Sequence, residues 1–250
     1  MWRSFFFSDT MGHMEALRVH HKANKRGHAS NEWLDTHYSF SFADFYDPTR
    51  MGFGSLIVIN DDHIKGGHGF GFHAHQDMEI ITIPFEGSLI HRDSMGNEGT
   101  ITAGEIQVMS AGHGVVHSEV NGSDMDPVKL FQVWIVPREK GGAPRYEQKK
   151  YQSDERMLLV SPNGEGESLI IQQDAWISLF TLNAGASTTY TPRKKGNGVY
   201  VFVTSGNVAV DGVRLEERDA YGTYSEAQTV NISVGIDAQL LIFDVPMETR

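Results

Sequence analysis

The sequence predicts an all-β protein built from two tandem β-barrels. Helical periodicity is scarce, and short runs rich in β-branched and aromatic residues recur between Gly, Asp, Asn and Pro turns. Many short strands at even spacing are typical of a sandwich or barrel rather than an α/β fold. The two halves also repeat one pattern, a strand, a tight glycine turn and a second strand, around Gly87 and around Gly206. Two copies of one barrel are the simplest interpretation.

The individual strands follow from these runs. In the first half we predict strands over residues 55–60, 78–85, 88–93, 105–110 and 129–136. In the second half we predict strands over residues 157–160, 169–172, 176–182, 199–204, 207–210, 229–234 and 239–243. The dipeptide Asp211-Gly212, placed between Val210 and Val213, predicts a hairpin turn.

The chain divides into four segments on this basis. Residues 1–18 fit nothing that follows and are expected to be an N-terminal extension or a tag remnant. Residues 19–136 form the predicted N-terminal, metal-binding barrel, and residues 137–152 form a polar connection that contains Gly141-Gly142-Ala143-Pro144. Residues 153–250 form the predicted C-terminal barrel, which has no metal site.

Composition excludes several functional classes. The formal net charge of −11 disfavours nucleic acid or an anionic membrane as a partner. The chain has no cysteine, so disulfides, thiolate nucleophiles and cysteine-based zinc sites are excluded. No apolar stretch approaches transmembrane length. No Gly-x-Ser-x-Gly motif or phosphate loop occurs either. We therefore expect a cytoplasmic protein without covalent hydrolase chemistry.

The distribution of histidine predicts a metal centre. All twelve histidines lie in the first 117 residues. Side chains at positions i and i+2 of a strand point to the same face, so His73-x-His75 on one strand and His117-x-Glu119 on a neighbour can aim four donors at one point. Three imidazoles and a carboxylate suit Fe(II), Mn(II), Ni(II), Cu(II) or Zn(II). The corresponding place in the second half has Thr189-x-Thr191, and threonine is a poor ligand for these ions.

Other polar residues of the first half are given lesser roles. Glu79 is expected to lie at the edge of the site without binding the metal. His28 and His37 are expected to make structural hydrogen bonds. His113, in a Gly-His-Gly loop, either lines the mouth of a cavity or is simply exposed.

These residues resemble the cupin superfamily, and within it the pirins. Gly67, His73, His75 and Glu79 match the first cupin motif, with the closing glycine one residue late at Gly87. The second motif is matched by Gly104, Gly112, His117 and Asn121, but Ser110 stands where that motif has proline. The similarity to pirins is dense up to about Tyr151, in segments such as Met51-Gly52-Phe53-Gly54, Asp93-Ser94-Met95-Gly96-Asn97 and Pro144-Arg145-Tyr146-Glu147-Gln148.

The resemblance implies a bicupin of two jelly-roll barrels with one divalent metal in the N-terminal barrel. Fe(II) is the expected ion, with Mn(II), Ni(II), Cu(II), Co(II) or Zn(II) as alternatives, and His73, His75, His117 and Glu119 are the expected ligands. Several bacterial pirins are quercetin 2,3-dioxygenases, which open a flavonol ring with O2 and release carbon monoxide. Glu119 would then be ligand and general base, accepting the proton of the flavonol hydroxyl. The alternative, implied by animal members, is a non-enzymatic, redox-sensing regulator that binds a protein partner.

Overall fold

The chain forms an almost purely β structure. The computed structural model describes residues 17–151, 154–225 and 229–248. Its first twelve strands are β1 (Leu17–His21), β2 (Gly27–Ser30), β3 (Leu34–Tyr38), β4 (Leu56–Ile64), β5 (Gly69–His75), β6 (Glu79–Glu86), β7 (Ser88–Asp93), β8 (Glu98–Thr102), β9 (Glu105–Ser110), β10 (Val115–Asn121), β11 (Val128–Ile135) and β12 (Arg145–Lys150). The remaining strands are β13 (Arg156–Ser161), β14 (Leu169–Ile170), β15 (Trp176–Leu182), β16 (Ser187–Tyr190), β17 (Asn197–Val210), β18 (Val213–Leu215), β19 (Ala220–Tyr224) and β20 (Val230–Pro246).

Helix is nearly absent from the part of the chain that the structure describes. Two single 3₁₀ turns occur there, at Ala23–Lys25 and Glu165–Glu167. No helix among these residues has the length and apolar character needed to cross a bilayer. The all-β prediction is therefore confirmed.

The N-terminal half folds as two sheets that face each other. A four-stranded sheet has the order β5-β10-β7-β8, and a seven-stranded sheet has the order β12-β9-β6-β11-β4-β3-β2. Leu89 and Ile101 of the smaller sheet pack with Ile64, Val128 and Leu130 of the larger sheet in one buried cluster. A second buried cluster, in which Val115 of the smaller sheet packs with Ile80 and Met109 of the larger sheet, also joins the two sheets.

The C-terminal half is one nine-stranded sheet. Its main path is β1-β19-β17-β20-β15-β13-β14, with β16 paired to β20 and β18 paired to β17. A buried apolar cluster that includes Phe180, Tyr190, Val201 and Leu240 fills its interior. The predicted hairpin at Asp211-Gly212 is confirmed, because Val210 pairs with Val213.

A second apolar cluster joins the two halves. It includes Ile81 and Val133 of the seven-stranded sheet together with Tyr200, Phe202 and Leu241 of the C-terminal sheet. The seven-stranded sheet is thus covered on both faces. Double coverage explains why β6 is a nearly continuous apolar run rather than an alternating one.

The sheets depart from the predicted segment boundaries in two places. The predicted connection over residues 137–152 contains strand β12, which pairs with β9 and extends the N-terminal sheet. Strand β1, part of which falls in the predicted N-terminal barrel, pairs instead with β19 in the C-terminal sheet. Residues 1–16 of the predicted extension lie outside the described residues.

The two glycine turns that suggested a repeat behave differently. Gly87, with φ of 74°, separates β6 from β7 as predicted. Gly206 lies inside the single strand β17, so the prediction of two strands there is wrong. The pairing of β17 with β20 shifts register on both sides of this point, so the strand absorbs the bend without ending. The predicted strands 229–234 and 239–243 likewise merge into β20.

Candidate metal centre

The four-stranded sheet gathers the predicted metal ligands on its inner face. His73 on β5 lies directly opposite His117 on β10, and His75 lies two residues further along β5. The candidate ligand atoms of His73, His75 and His117 all lie within 4.8 Å of one another. Their ring centroids are 4.4 to 4.9 Å apart. The structure therefore brings together the three imidazoles that the spacing predicted.

A close approach of two strands and a bulge shape this group. A side chain at Gly69 would place its Cβ 2.4 Å from the carbonyl oxygen of Glu119, so glycine lets β5 approach β10 at this point. The pairing then shifts register between His117 and Glu119, which sets Glu119 opposite Phe70. Bulges re-aim side chains, and here the carboxylate leaves the row of the three histidines.

The hydrogen bonds of the histidines fit a metal ion. Nδ1 of His73 lies 2.8 Å from the carbonyl oxygen of Gly71, to which it donates, and this leaves Nε2 free to bind a metal. His117 is buried, and neither of its ring nitrogens has a hydrogen-bond partner. Buried polar atoms normally have partners, so an unpaired imidazole in this position fits the role of a metal ligand.

The electrostatics of His75 and His117 favour their neutral, metal-binding form. Burial, with a smaller effect of His73, lowers the pKa of His75 to about 4. Burial and the neighbouring His73 and His75 lower the pKa of His117 to about 2. Both imidazoles therefore keep a lone pair at neutral pH.

Glu119 lies beside His117 rather than within the three-histidine group, and the opposite sheet holds it there. Its Oε2 accepts a hydrogen bond of 2.8 Å from Nε2 of Gln132, and its Oε1 accepts one of 3.1 Å from Oγ1 of Thr82. Glu119 is 3% exposed, and burial raises its pKa. A carboxylate whose pKa is raised is a stronger base than an exposed one.

Sequence reasoning missed His91. This fully buried residue on β7 lies directly opposite Glu119, and its candidate ligand atom lies within 4.8 Å of those of His117 and Glu119. Its Nε2 donates a 3.0 Å hydrogen bond to Asp93, and its ring stacks on Tyr146. The signal was present in the sequence, because His91-x-Asp93 in a predicted strand repeats the spacing of His117-x-Glu119.

Glu79 lies away from the three histidines and joins the two halves of the chain. Its Oε2 accepts hydrogen bonds from Oγ of Ser110 at 2.7 Å and from the backbone amide of Gln172 at 3.1 Å. Ser110 is the residue that replaces the cupin proline, and its hydroxyl binds this buried carboxyl. Burial raises the pKa of Glu79 to about 7.

The centre opens on the side of β5. His73 and His75 are partly exposed, whereas His117 is buried. The ring of Trp134 lies edge-on to His75 at 5.0 Å, and Phe42 packs against Trp134 at 5.4 Å. His113 is exposed. The accessible side of the histidine group is therefore flanked by aromatic rings.

A β-barrel with a three-histidine group and a second barrel without one define a bicupin with a candidate metal centre in its N-terminal barrel. The Pirin family model matches residues 17–135, and the model described as the quercetinase C-terminal cupin domain matches residues 158–245. The chain belongs to the pirin family. The predicted family and the bicupin fold are both confirmed.

Three similar proteins show the range of this family. The quercetin 2,3-dioxygenase of Escherichia coli K12 is 42% identical over 226 residues, which cover 90% of this chain and 97% of that protein. A pirin-like protein of Caulobacter vibrioides is 40% identical, with 88% of this chain and 96% of that protein covered. The crystal structure of the E. coli pirin YhhW in complex with nickel(II) has a TM-score of 0.87 and 41% identity, and it covers 92% of this chain and 99% of that one.

Proposed function

We propose that this protein is a metal-dependent dioxygenase that opens the ring of quercetin or a related flavonol with O2 and releases carbon monoxide. The observation that carries the proposal is the group of His73, His75 and His117 with the buried carboxylate of Glu119 next to it. The quercetin 2,3-dioxygenase of E. coli, 42% identical to this chain, supports the assignment of substrate.

Each group of the chain has a distinct task in this proposal. His73, His75 and His117 hold one divalent ion, and Glu119 completes the ligand set. Once bound there, the ion would supply Lewis-acid activation of the flavonol oxygens and the chemistry with O2. Glu119 accepts the proton of the flavonol 3-hydroxyl, a role that suits a carboxylate whose pKa burial has raised. Thr82 and Gln132 keep its two oxygens in place during this transfer.

The walls of the barrel support an aromatic substrate that carries several hydroxyl groups. Trp134 and Phe42 offer ring faces and edges near His75, where an aromatic ring can pack in an offset or edge-on arrangement. Nε1 of Trp134, Nδ1 of His91 and the whole side-chain amide of Gln107 are buried without a hydrogen-bond partner. A flavonol brings hydroxyl and carbonyl oxygens to which such groups can bind.

The metal is proposed to be Fe(II). Imidazole and carboxylate donors also suit Mn(II), Ni(II), Cu(II), Co(II) and Zn(II), and the related YhhW binds nickel(II). Anaerobic purification followed by metal analysis, and reconstitution of the metal-free chain with each ion in turn, tests this part of the proposal. If the Fe(II)-loaded chain consumes no O2 with any of a panel of flavonols, and another ion restores turnover, that other ion is the functional metal and the assignment of Fe(II) is wrong.

The test of the mechanism is Glu119→Gln. Glutamine keeps the shape and an oxygen donor but cannot take up a proton near neutral pH. At matched metal content we expect quercetin turnover to fall by about 10²–10⁴-fold, the usual contribution of a positioned base. Gln132→Leu is the matched control, because it removes a hydrogen bond from Glu119 but leaves the carboxylate. Equal turnover of Glu119→Gln and the wild type would disprove the role of base.

A second candidate function is a redox-sensing protein that binds a partner. It is favoured by an exposed apolar strip directly behind the metal centre, because Phe72 is 69% exposed and Val116 is 40% exposed on the outer face of β5 and β10. If the wild type, fully loaded with each of the candidate ions, consumes no O2 with any flavonol, this function replaces the first. A partner that binds the loaded chain in one oxidation state only would then support it.

A further inference from the structure

A second group of metal-binding side chains lies away from this centre, at the edge of the seven-stranded sheet. Strands β2 and β3 pair so that His28 lies directly opposite His37. Asp35 precedes His37 by two residues and therefore points to the same face of β3. The candidate ligand atoms of His28, Asp35 and His37 all lie within 4.8 Å of one another. We name these three residues the edge cluster.

The distances within the edge cluster match those around a tetrahedral ion. Nε2 of His28 donates a 3.4 Å hydrogen bond to Oδ2 of Asp35, the structural role expected of this histidine, and Nδ1 of His37 lies 3.6 Å from Oδ1 of the same carboxylate. Ligands that bind a tetrahedral ion at about 2.0–2.2 Å are separated from each other by about 3.3–3.6 Å. The two imidazole rings are stacked at 4.4 Å with an angle of 19° between their planes, so the carboxylate faces both at once.

The charges around the edge cluster leave a carboxylate available for a cation. Within the described residues, the ion-pair partners of Asp35 are His28 and His37 alone. These are weak partners at neutral pH, where imidazole is mostly uncharged. No lysine or arginine therefore neutralises Asp35, in contrast to the acidic residues that bind arginine elsewhere on this sheet.

A buried acid lies beside the cluster on the next strand of the sheet. Asp61 on β4 is opposite His37 and is 4% exposed. Its Oδ2 binds Arg26 and Arg218, which balance its charge, but its Oδ1 has no hydrogen-bond partner and lies 4.0 Å from Nε2 of His63. Burial, followed by the charge of Arg26, lowers the pKa of His37, which keeps its imidazole neutral and able to bind a metal.

We propose that His28, Asp35 and His37 form a second metal site, which binds a divalent ion of the Zn(II), Ni(II) or Cu(II) class. Two imidazoles and one carboxylate are the donors that such ions prefer. About half of the surface of the His28 and Asp35 side chains is exposed, so water fills the remaining positions. The site is therefore weaker than the buried centre and exchanges its ion with the solvent. This inference is independent of the proposed dioxygenase function.

The test is a calorimetric titration of the full-length, metal-free chain with Ni²⁺. We expect two classes of binding in the wild type, one tight and one weaker. His37→Ala should weaken the second class by at least about 10-fold, since even the loss of a residue that only orients a ligand costs about 10–100-fold. Both side chains of the histidine pair are substantially exposed, so this variant and His28→Ala should fold normally, which circular dichroism checks.

Two control variants separate the edge cluster from the buried centre and from chance binding to histidine. His73→Ala should lose the tight class and keep the weaker one. His68→Ala removes an exposed histidine that has no carboxylate partner among the described residues, and it should keep both classes. A wild type that binds a single equivalent would overturn the proposal. So would a weaker class whose affinity is the same in His37→Ala, or one that His68→Ala removes.

Discussion

The two barrels of this protein share an architecture but fill their interiors with different chemistry. The C-terminal sheet encloses a cluster of Val, Ile, Leu, Phe and Tyr side chains. The N-terminal barrel places His73, His75, His91, His117 and Glu119 on the inner face of its smaller sheet. The strand framework thus tolerates either filling. The identity of the inward-facing residues, not the fold, determines whether a barrel can bind a metal.

The face of β16 on which each side chain lies strengthens this contrast. We expected Thr189 and Thr191 to occupy the place of the two histidines of β5. In the structure Thr189 and Thr191 are exposed, while Thr188 and Tyr190 face inward. The hydroxyl of Tyr190 donates to the buried Asp244 at 3.1 Å. The inward positions of β16 are therefore already used for packing and hydrogen bonding.

The largest expected effect comes from removing His117, which belongs both to the three-histidine group and to the group formed with His91 and Glu119. His117→Ala should lower the affinity for the tightly bound metal by more than about 100-fold, since it removes a ligand rather than a supporting group. Metal analysis after gel filtration and a competition titration with a chelator measure this change. Full retention of the metal, or a ligand found beyond Tyr151, would break the contrast between the barrels.

A substitution of His91 tests whether residues next to the ligands help to position them in the N-terminal barrel. His91 lies opposite Glu119 and is oriented by Asp93. His91→Ala should weaken metal binding by about 10–100-fold, the range for residues that orient a ligand. It should also shift the visible absorption spectrum of the Co(II)-loaded chain. Tyr146→Phe, which keeps the ring that stacks on His91, is the control and should leave the spectrum unchanged.

Glu79 tests the junction between the barrels through its pH dependence. Its pKa rises from 4.5 to about 7 in the folded chain because of burial. Between these values the unfolded chain releases the proton and the folded chain keeps it, so the stability falls as the pH rises through this window. Glu79→Gln removes this loss. The free energy of unfolding of the metal-free variant, relative to wild type, should rise by about 1–3 kcal/mol from pH 4 to pH 8.

Chemical denaturation of both proteins at several pH values measures this difference. Other buried acids, such as Asp62 with a pKa raised to about 7, are present in both chains and cancel in the comparison. A difference that does not change with pH would show that folding does not raise the pKa of Glu79.

The smallest effect is expected from an attempt to install a centre in the C-terminal barrel. Thr189→His combined with Thr191→His adds two imidazoles at spacing i, i+2, but Thr189 on β16 and Thr191 just after it are both exposed. No counterpart of His117 and Glu119 faces them. Calorimetric titration should show no additional tight equivalent. A tight second equivalent in this variant, absent from the wild type, would show that spacing alone creates the site.

The sequence predicted the fold class and the three-histidine group because both depend on local periodicity. Alternation along a strand fixes which side chains share a face, so His73 and His75 could be paired from spacing alone. The hairpin at Asp211-Gly212 was predictable for the same reason, since two adjacent residues determine it. The prediction failed where neighbours in space decide the outcome, as at Gly206, where strand β17 continues because β20 supports it across register shifts.

Long-range pairing was also the reason that other features were missed. The polar strand β12 has no apolar alternation, and it is a strand because its backbone pairs with β9. His91 was missed although its spacing from Asp93 matches that of His117 from Glu119, because its importance comes from its position opposite Glu119 on another strand. The metal-ligand role of Glu119 remains a prediction, with its carboxylate now located beside His117 and His91.

The position of β1 limits how members of this family can be recombined. This strand opens the described chain yet pairs with β19 of the C-terminal sheet. A chimera that exchanges C-terminal barrels by a single crossover within residues 137–152 would keep a foreign β1 in the new sheet. A crossover after β1 as well as one in that connection keeps each sheet whole. The segment that can be exchanged as a unit is therefore discontinuous in sequence. Because β1 remains paired with β19, a chain cut between the barrels should stay together as two complementing fragments.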